Sequence, residues 1–415
     1  MTIAEQQPGG ETADPPGRPP GRRPRRRRLL PWKHRRDLDP AQLRRRRAVR
    51  RGVLAVCLVG TGTVGWSVGK ALTYPGTDST QARLAEWARD HELGFVVDTL
   101  EEVQYKMNPP RVGGTLPPDA LARMKATQAV PTPAHIVAQP LVPLRAPMKP
   151  PVSPALPGEG VYRTLAGARG EPLVQGTYVR PDAEHTSYEA AVAWVSGKYA
   201  RFQLHPGFRE PGGTFDVPPT IPEGRRTGLV ATWNGGFRIT DGGSRGGFYL
   251  DGKTDGELRD GAASEVFHKD GSLRIGVWGR DVRMTPDVVG VRQCLELMVD
   301  GGRVVPDIDD ASKWGVSDQS RMYVPRSGVG VTAQGDIIMV VGQALSARSL
   351  ADLMQRAGAV RAMPLDMNRA WPSFMSYDSS RDPANPEPTN ILDFEDPPDR
   401  YYVQATRDFV AVYAR

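Results

Sequence analysis

At 415 residues the chain is long enough for one large domain or two ordinary ones. Its net charge of +7 is a sum of unlike parts: residues 1–51 hold 16 Lys/Arg against 5 Asp/Glu, which leaves 38 against 42 beyond them. The basic character is therefore confined to a tail, which argues against nucleic-acid binding by the body, and the two cysteines, Cys57 and Cys294, exclude a disulfide within the part after residue 72.

Residues 1–51 form a Pro/Arg-rich tail with too little apolar content to fold alone. Arginine runs of this kind suit nucleic acid or anionic lipid, and the next segment favours lipid. Gly52–Gly69 is eighteen residues without a charge, close to the length that spans about 30 Å of hydrocarbon as a helix. Residues 52–72 are accordingly expected to be a transmembrane signal anchor. Cations crowd its N-terminal side, so the tail is expected in the cytoplasm, touching anionic headgroups, with the rest outside the cell membrane. A cleaved signal peptide is the rival reading. The long tail ahead of the apolar run and the lack of a small-x-small site after it speak against cleavage.

Residues 73–108 have helical texture. Leu84, Trp87 and Ala88 share one face, and Leu100, Val103 and Tyr105 suggest a second run, lying near the membrane or on the body. Between Pro109 and Pro157 there are 13 prolines and almost no apolar period, which predicts a Pro-rich linker over 109–158, with a short helix in "PDALARMKA".

From residue 159 to 415 short β-branched and aromatic runs alternate with Gly/Asp turns, predicting an α+β, strand-rich mixed-sheet domain. "VRQCLELMVDGGRVV" reads as a hairpin turning at Asp300-Gly301-Gly302, with Arg292 and Asp300 of one parity. In "SARSLADLMQRAGAV", Leu350, Leu353, Met354 and Ala357 keep helical spacing; Ser346 or Ser349 caps its start and Gly358 its end. It lies between two strand-like runs, as in a βαβ unit. "RDFVAVYAR" is the expected last strand. Three Gly-Gly pairs, at 235–236, 242–243 and 246–247, lie around Trp233, Asn234, Phe237, Phe248 and Tyr249, more than one hairpin needs.

The chain contains no HExxH, CxxC, P-loop or GxSxG, and its six histidines are scattered. No cofactor is expected, and whether a divalent metal takes part stays open. What remains is Asp, Asn, Arg and Gly at strand ends. Singly each has a bland alternative. Asp300 suits an Asx turn, Asp366 a loop cap, Trp314 and Trp371 packing, and Cys294 a half-buried structural thiol.

In order, "WNGGF", "GGFYLDGK", "GVRQCLELMVDGGRV", "YVPRSGVGVTAQGDIIMVV" and "LADLMQRAGAVRAMPLD" resemble the phosphodiester glycosidase family, over roughly Tyr188–Arg415. In appearance the chain is most similar to membrane-anchored actinobacterial members. The resemblance puts Asn234, Gly235 and Gly236 on the family's Asn-Gly-Gly motif, Asp300 on its Asp-Gly-Gly hairpin, Arg326 on its Arg-Ser/Thr motif and Asp366 on its Leu-Asp motif. It implies Asp366 and Asp300 as catalytic carboxylates. Arg292, Arg326, Asn234, Asn368 and Trp371 are then expected against a sugar-phosphate glycan, since a planar Arg fork suits phosphate. One departure is plain: the family continues Leu-Asp-Gly-Gly-Gly-Ser, and this chain has Leu365-Asp366-Met367-Asn368-Arg369-Ala370-Trp371. The implied function is hydrolysis of a sugar-phosphodiester bond in a cell-envelope glycan. A catalytically silent glycan-binding or scaffolding protein is the alternative.

Overall fold

The computed structural model describes residues 39–126, 141–239, 246–315 and 323–415. Most of the basic tail, part of the Pro-rich stretch and the Gly242-Gly243 pair lie outside the described residues. The chain forms two compact units, Met1–Val64 and Gly65–Arg415.

Helix α1 (Pro40–Thr73) is the one helix among the described residues long and apolar enough to cross a membrane. Leu54, Val56, Leu58 and Val59 on it are exposed, as a lipid-facing surface would be. Two amphipathic helices follow, α2 (Thr80–Asp90) and α3 (Gly94–Met107). Ser79 caps α2 by accepting the Ala82 N–H at 3.2 Å.

The described parts of the Pro-rich stretch pack on the domain. Helix α4 (Pro118–Ala126) buries Ala120 and Met124, and Val142, Met148 and Val152 are buried as well. The Leu141 and Val142 N–H groups donate to the Glu171 carboxylate at 3.1 and 2.9 Å. Proline holds this chain extended, and an extended chain lies along a sheet as readily as it spans open solvent. Its apolar anchors fall between prolines with no period, which is why no pattern marked them.

The strands in chain order begin β1 (Arg163–Ala168), β2 (Glu171–Val179), β3 (Ala190–Val195), β4 (Ala200–His205) and β5 (Leu229–Asn234). Next come β6 (Phe248–Leu250), β7 (Lys253–Asp255), β8 (Ala263–His268), β9 (Leu273–Val277) and β10 (Val288–Gln293). The series continues with β11 (Val299–Asp300), β12 (Arg303–Val304), β13 (Val324–Thr332) and β14 (Ile337–Leu345). It closes with β15 (Ala359–Pro364), β16 (Phe374–Asp378), β17 (Glu387–Asn390) and β18 (Phe409–Ala414). Three antiparallel sheets result, ordered β1-β2-β3-β14-β13-β15-β11-β12, β7-β6-β10-β8-β9 and β17-β16-β5-β18-β4. This is the mixed α+β, strand-rich architecture that the sequence predicts.

Helix α5 (Ala347–Arg356) starts at Ser346, whose hydroxyl accepts the Ser349 N–H while the Ser349 hydroxyl accepts the Ser346 N–H. It buries Leu350, Leu353 and Met354 completely, each worth about 1.5–3 kcal/mol. β14 and β15 flank β13 and are both antiparallel to it, so they run parallel to each other with α5 between them. The expected βαβ-like unit is therefore present, split by β13.

The expected hairpin is present but short: it turns at Asp300-Gly301-Gly302, pairing Val299 with Val304 and Asp300 with Arg303, and β10 is not part of it. β10 lies in the five-stranded sheet beside β6 and β8, while β11 and β12 edge the eight-stranded one. Leu295 has φ of 50°, which an extended strand cannot carry. The chain bends there and changes sheet, so the parity linking Arg292 to Asp300 is lost.

Candidate active site

The site forms where two sheets meet. β5 ends at Asn234, and Asp366 follows the end of β15. Asn234 clasps the sheets together: its Nδ2 donates to Ser327 Oγ on β13 at 3.0 Å, and its Oδ1 accepts the Ser373 N–H at 2.9 Å. Ser327 Oγ also accepts the Asp366 N–H at 3.2 Å. Gly235 and Gly236 are required by proximity. A Cβ on Gly235 would lie 1.9 Å from Asp408 Oδ2, and one on Gly236 2.8 Å from Cys294 Cβ. Cys294 is a wholly buried thiol, pushed up to about 12 by burial.

Asp366 is 5% exposed. Its Oδ1 accepts the Met367 and Asn368 N–H groups at 2.7 and 3.2 Å, and its Oδ2 pairs with Arg407 Nη1 at 3.1 Å. Burial raises its pKa from 3.8 to about 6, with Arg407 the largest opposing influence. Arg407 in turn donates to Gly236 O at 2.9 Å and lies 4.8 Å from the Trp371 ring centre. Trp371 is buried, with Arg400 also over its ring. Asn234, Gly235, Gly236, Asp366, Trp371, Arg407 and Asp408 surround a cavity of about 10 Å³, room for no more than a water.

A second cavity, about 140 Å³, adjoins through Arg407 and is lined by Arg209, Arg238, Glu210 and two residues of α2, Glu86 and Asp90. Arg238 pairs with Glu86 at 3.1 Å, Asp90 at 2.7 Å and Glu210 at 3.2 Å. Arg209 pairs with Asp90. Ala82 of α2 packs on Ala370 and Trp371, and Glu101 of α3 accepts from Asn368 Nδ2 at 3.2 Å. The helical segment 80–107 therefore lies across the site.

Three expected residues stand elsewhere. Asp300 pairs with the exposed Arg280 at 2.7 Å and sits opposite Arg361 on β15. Asp366 is five residues further along, about 16 Å away at the strand rise, so Asp300 does not reach the site. Arg292 is wholly buried beneath it and spends its guanidinium on Asp408 at 2.7 Å, Phe237 O at 2.5 Å and Gln293 O at 2.8 Å. Arg326 is 2% exposed and directs Nε to Leu345 O at 2.9 Å and Nη1 to Trp314 O at 3.3 Å. Both arginines tie backbone together and have no exposed fork for phosphate. Asn368 shapes its own loop, accepting the Ala370 N–H at 3.1 Å.

Arg407, Asp408, Arg238 and Glu86 line the two cavities and are the residues there that sequence reasoning did not single out. Arg407-Asp408 stands just ahead of the apolar β18, and Arg238 one residue past "NGGF"; charges at those strand ends were the available signal. Among the described residues, no group of three or more His, Cys, Asp or Glu is arranged to hold a metal ion.

Residues 227–366 match the family model described as phosphodiester glycosidase. That segment is similar to the phosphodiester glycosidase family. It opens just before β5 and closes on Asp366, which leaves Arg407 and Asp408 outside it. No curated protein matches the chain. Among solved structures, the zebrafish N-acetylglucosamine-1-phosphodiester alpha-N-acetylglucosaminidase catalytic domain, auto-inhibited by its pro-peptide, is 15% identical with TM-score 0.40, covering 61% of this chain and 88% of that one. A hypothetical protein from Synechocystis is 13% identical with TM-score 0.34, covering 60% of this chain and 63% of that one.

Proposed function

We propose that the protein is a membrane-anchored, extracytoplasmic glycosidase that hydrolyses a sugar-phosphodiester bond in a cell-envelope glycan. The observation that carries this is the buried Asp366–Arg407 pair at the end of the family-matched segment. Water adds at the anomeric carbon, the bond from that carbon to the phosphate oxygen breaks, and the sugar and a phosphomonoester leave. Phosphate is already a good leaving group, so a strong general acid is less necessary than in ordinary glycoside hydrolysis. Ionised Asp366 serves the cationic sugar carbon, as charge stabiliser or as base for the water. Arg407 and Arg238 hold the phosphate, the roles first expected of Arg292 and Arg326. Asn234 acts by holding the two sheets in place.

The arrangement described is a closed one. A cavity of about 10 Å³ admits no sugar, and Glu86 and Asp90 occupy the guanidinium groups that a phosphate needs. Turnover requires α2 to move away. A silent glycan-binding protein is the second reading, favoured by the bulk of Met367–Trp371 where the family has glycines.

The test is incubation of the full chain in detergent with a panel of sugar-1-phosphodiesters, alongside the Glu86→Gln/Asp90→Asn variant that loosens α2. Released sugar from either supports hydrolysis; none from both selects the second reading. Protease added outside intact cells should remove a C-terminal tag, and protection of that tag would overturn the topology. The tail's contact with anionic headgroups is part of the same proposal.

A further inference from the structure

We propose that the open cleft between the end of α3 and the start of β13 is a binding subsite for a neutral stretch of glycan chain. The cleft holds about 350 Å³, within the 300–1,000 Å³ typical of small-ligand sites, and it lies outside the closed pocket around Asp366. Its walls carry Tyr105, Tyr188, Tyr323 and Phe394. Tyrosine offers a flat apolar face for the C–H side of a sugar ring and a hydroxyl at its edge. Two of these rings are held by neighbours. Tyr323 lies against His185 with ring centres 3.8 Å apart and planes tilted by 33°, and the Tyr188 hydroxyl accepts the Arg111 N–H at 3.2 Å.

Between the rings stand planar polar groups that match vicinal hydroxyls. Gln343 has its amide fixed by donation to Asp393 O at 3.1 Å. Arg369 and Glu395 face each other at 3.9 Å, a separation that leaves hydrogen-bonding capacity on both, and the Arg369 side chain is 62% exposed. The charges choose the ligand class. Arg369 stands against Glu395, and Arg123 stands against Asp393 at 3.6 Å, so the charges at the cleft balance and suit neutral, hydroxyl-rich units better than a phosphate. The position connects the cleft to the chemistry: Arg369 is three residues from Asp366, at most about 10 Å of chain. The cleft therefore holds sugar units flanking the bond to be cut. This rests on the glycan-substrate reading above, but needs no turnover and is available with α2 in place.

The experiment is saturation-transfer NMR on the full-length chain in detergent micelles, with chitotetraose, cellotetraose, mannotetraose and xylotetraose as probes. The expected result is transfer to at least one tetrasaccharide. Tyr188→Ala and the surface variant Arg369→Ala should each weaken it about tenfold, the loss of one good contact, at unchanged melting temperature. Asp366→Asn should bind as the wild type does. No transfer to any of the four, or transfer unchanged in Arg369→Ala and Tyr188→Ala, overturns the subsite. Transfer lost in Asp366→Asn moves the binding into the closed pocket and also overturns it. Failed hydrolysis with retained transfer would instead remove the enzymatic reading and leave the cleft standing.

Discussion

Two Arg–Asp pairs in this chain look alike on paper and differ in kind. Arg407–Asp366 has side-chain exposures of 8% and 5%; Arg280–Asp300 has 51% and 36%. Both aspartates stand at strand ends and both lie within the stretch matched by one family model. Water screens the second pair, so its geometry is worth about 0–1 kcal/mol. The first is desolvated, so its charges are held by protein groups alone and its carboxyl is pushed up to about 6. Burial separates a carboxylate fit for chemistry from one that braces a turn.

The comparison breaks most visibly at the arginines. Arg407→Ala leaves the buried Asp366 without its ion partner, and should destabilise the fold by about 3–5 kcal/mol. Arg280→Ala should stay within about 1 kcal/mol. Denaturant titrations of the two variants side by side measure this; equal losses would erase the distinction.

A smaller effect follows from α2. Glu86→Gln with Asp90→Asn removes two carboxylates from Arg238 and should raise turnover several-fold by loosening the cover. Kinetics on a soluble sugar-1-phosphodiester decide it, and a fall in rate would mean that α2 helps to build the site.

The pH dependence sharpens the contrast further. Asp366 is needed ionised, so kcat/KM should climb about tenfold per pH unit below about 6 and level off above it. For stability the sign is opposite. A native carboxyl whose pKa is raised from 3.8 to about 6 contributes most below about pH 3.8, and that contribution is lost as the pH rises through about 6. A rate profile with no limb near 6 would remove Asp366 from the reacting centre.

Much of this was legible in the sequence where local rules and tertiary packing agree. The α5 period, its serine cap, the β18 run and the apolar α1 helix all appeared as expected. Legibility failed where long-range packing decides. One positive-φ residue, Leu295, sends the chain into another sheet and breaks the parity between Arg292 and Asp300. Proline-spaced anchors such as Val142 and Met148 show no period, yet they are buried. Asp366, Asn234 and the Gly pair were found through motif order. Their partner Arg407 lies 41 positions beyond Asp366, and nothing local announces that they meet.

The most direct test of the central claim sets Asp366→Asn beside Asp300→Asn in one assay of sugar release from a sugar-1-phosphodiester, with melting temperatures measured on both. The account predicts at least a hundredfold loss for Asp366→Asn, within the range of about 10²–10⁴ for removing a positioned acid–base group. It predicts a near-wild-type rate for Asp300→Asn. Wild-type turnover by Asp366→Asn, or a loss confined to Asp300→Asn, would contradict it.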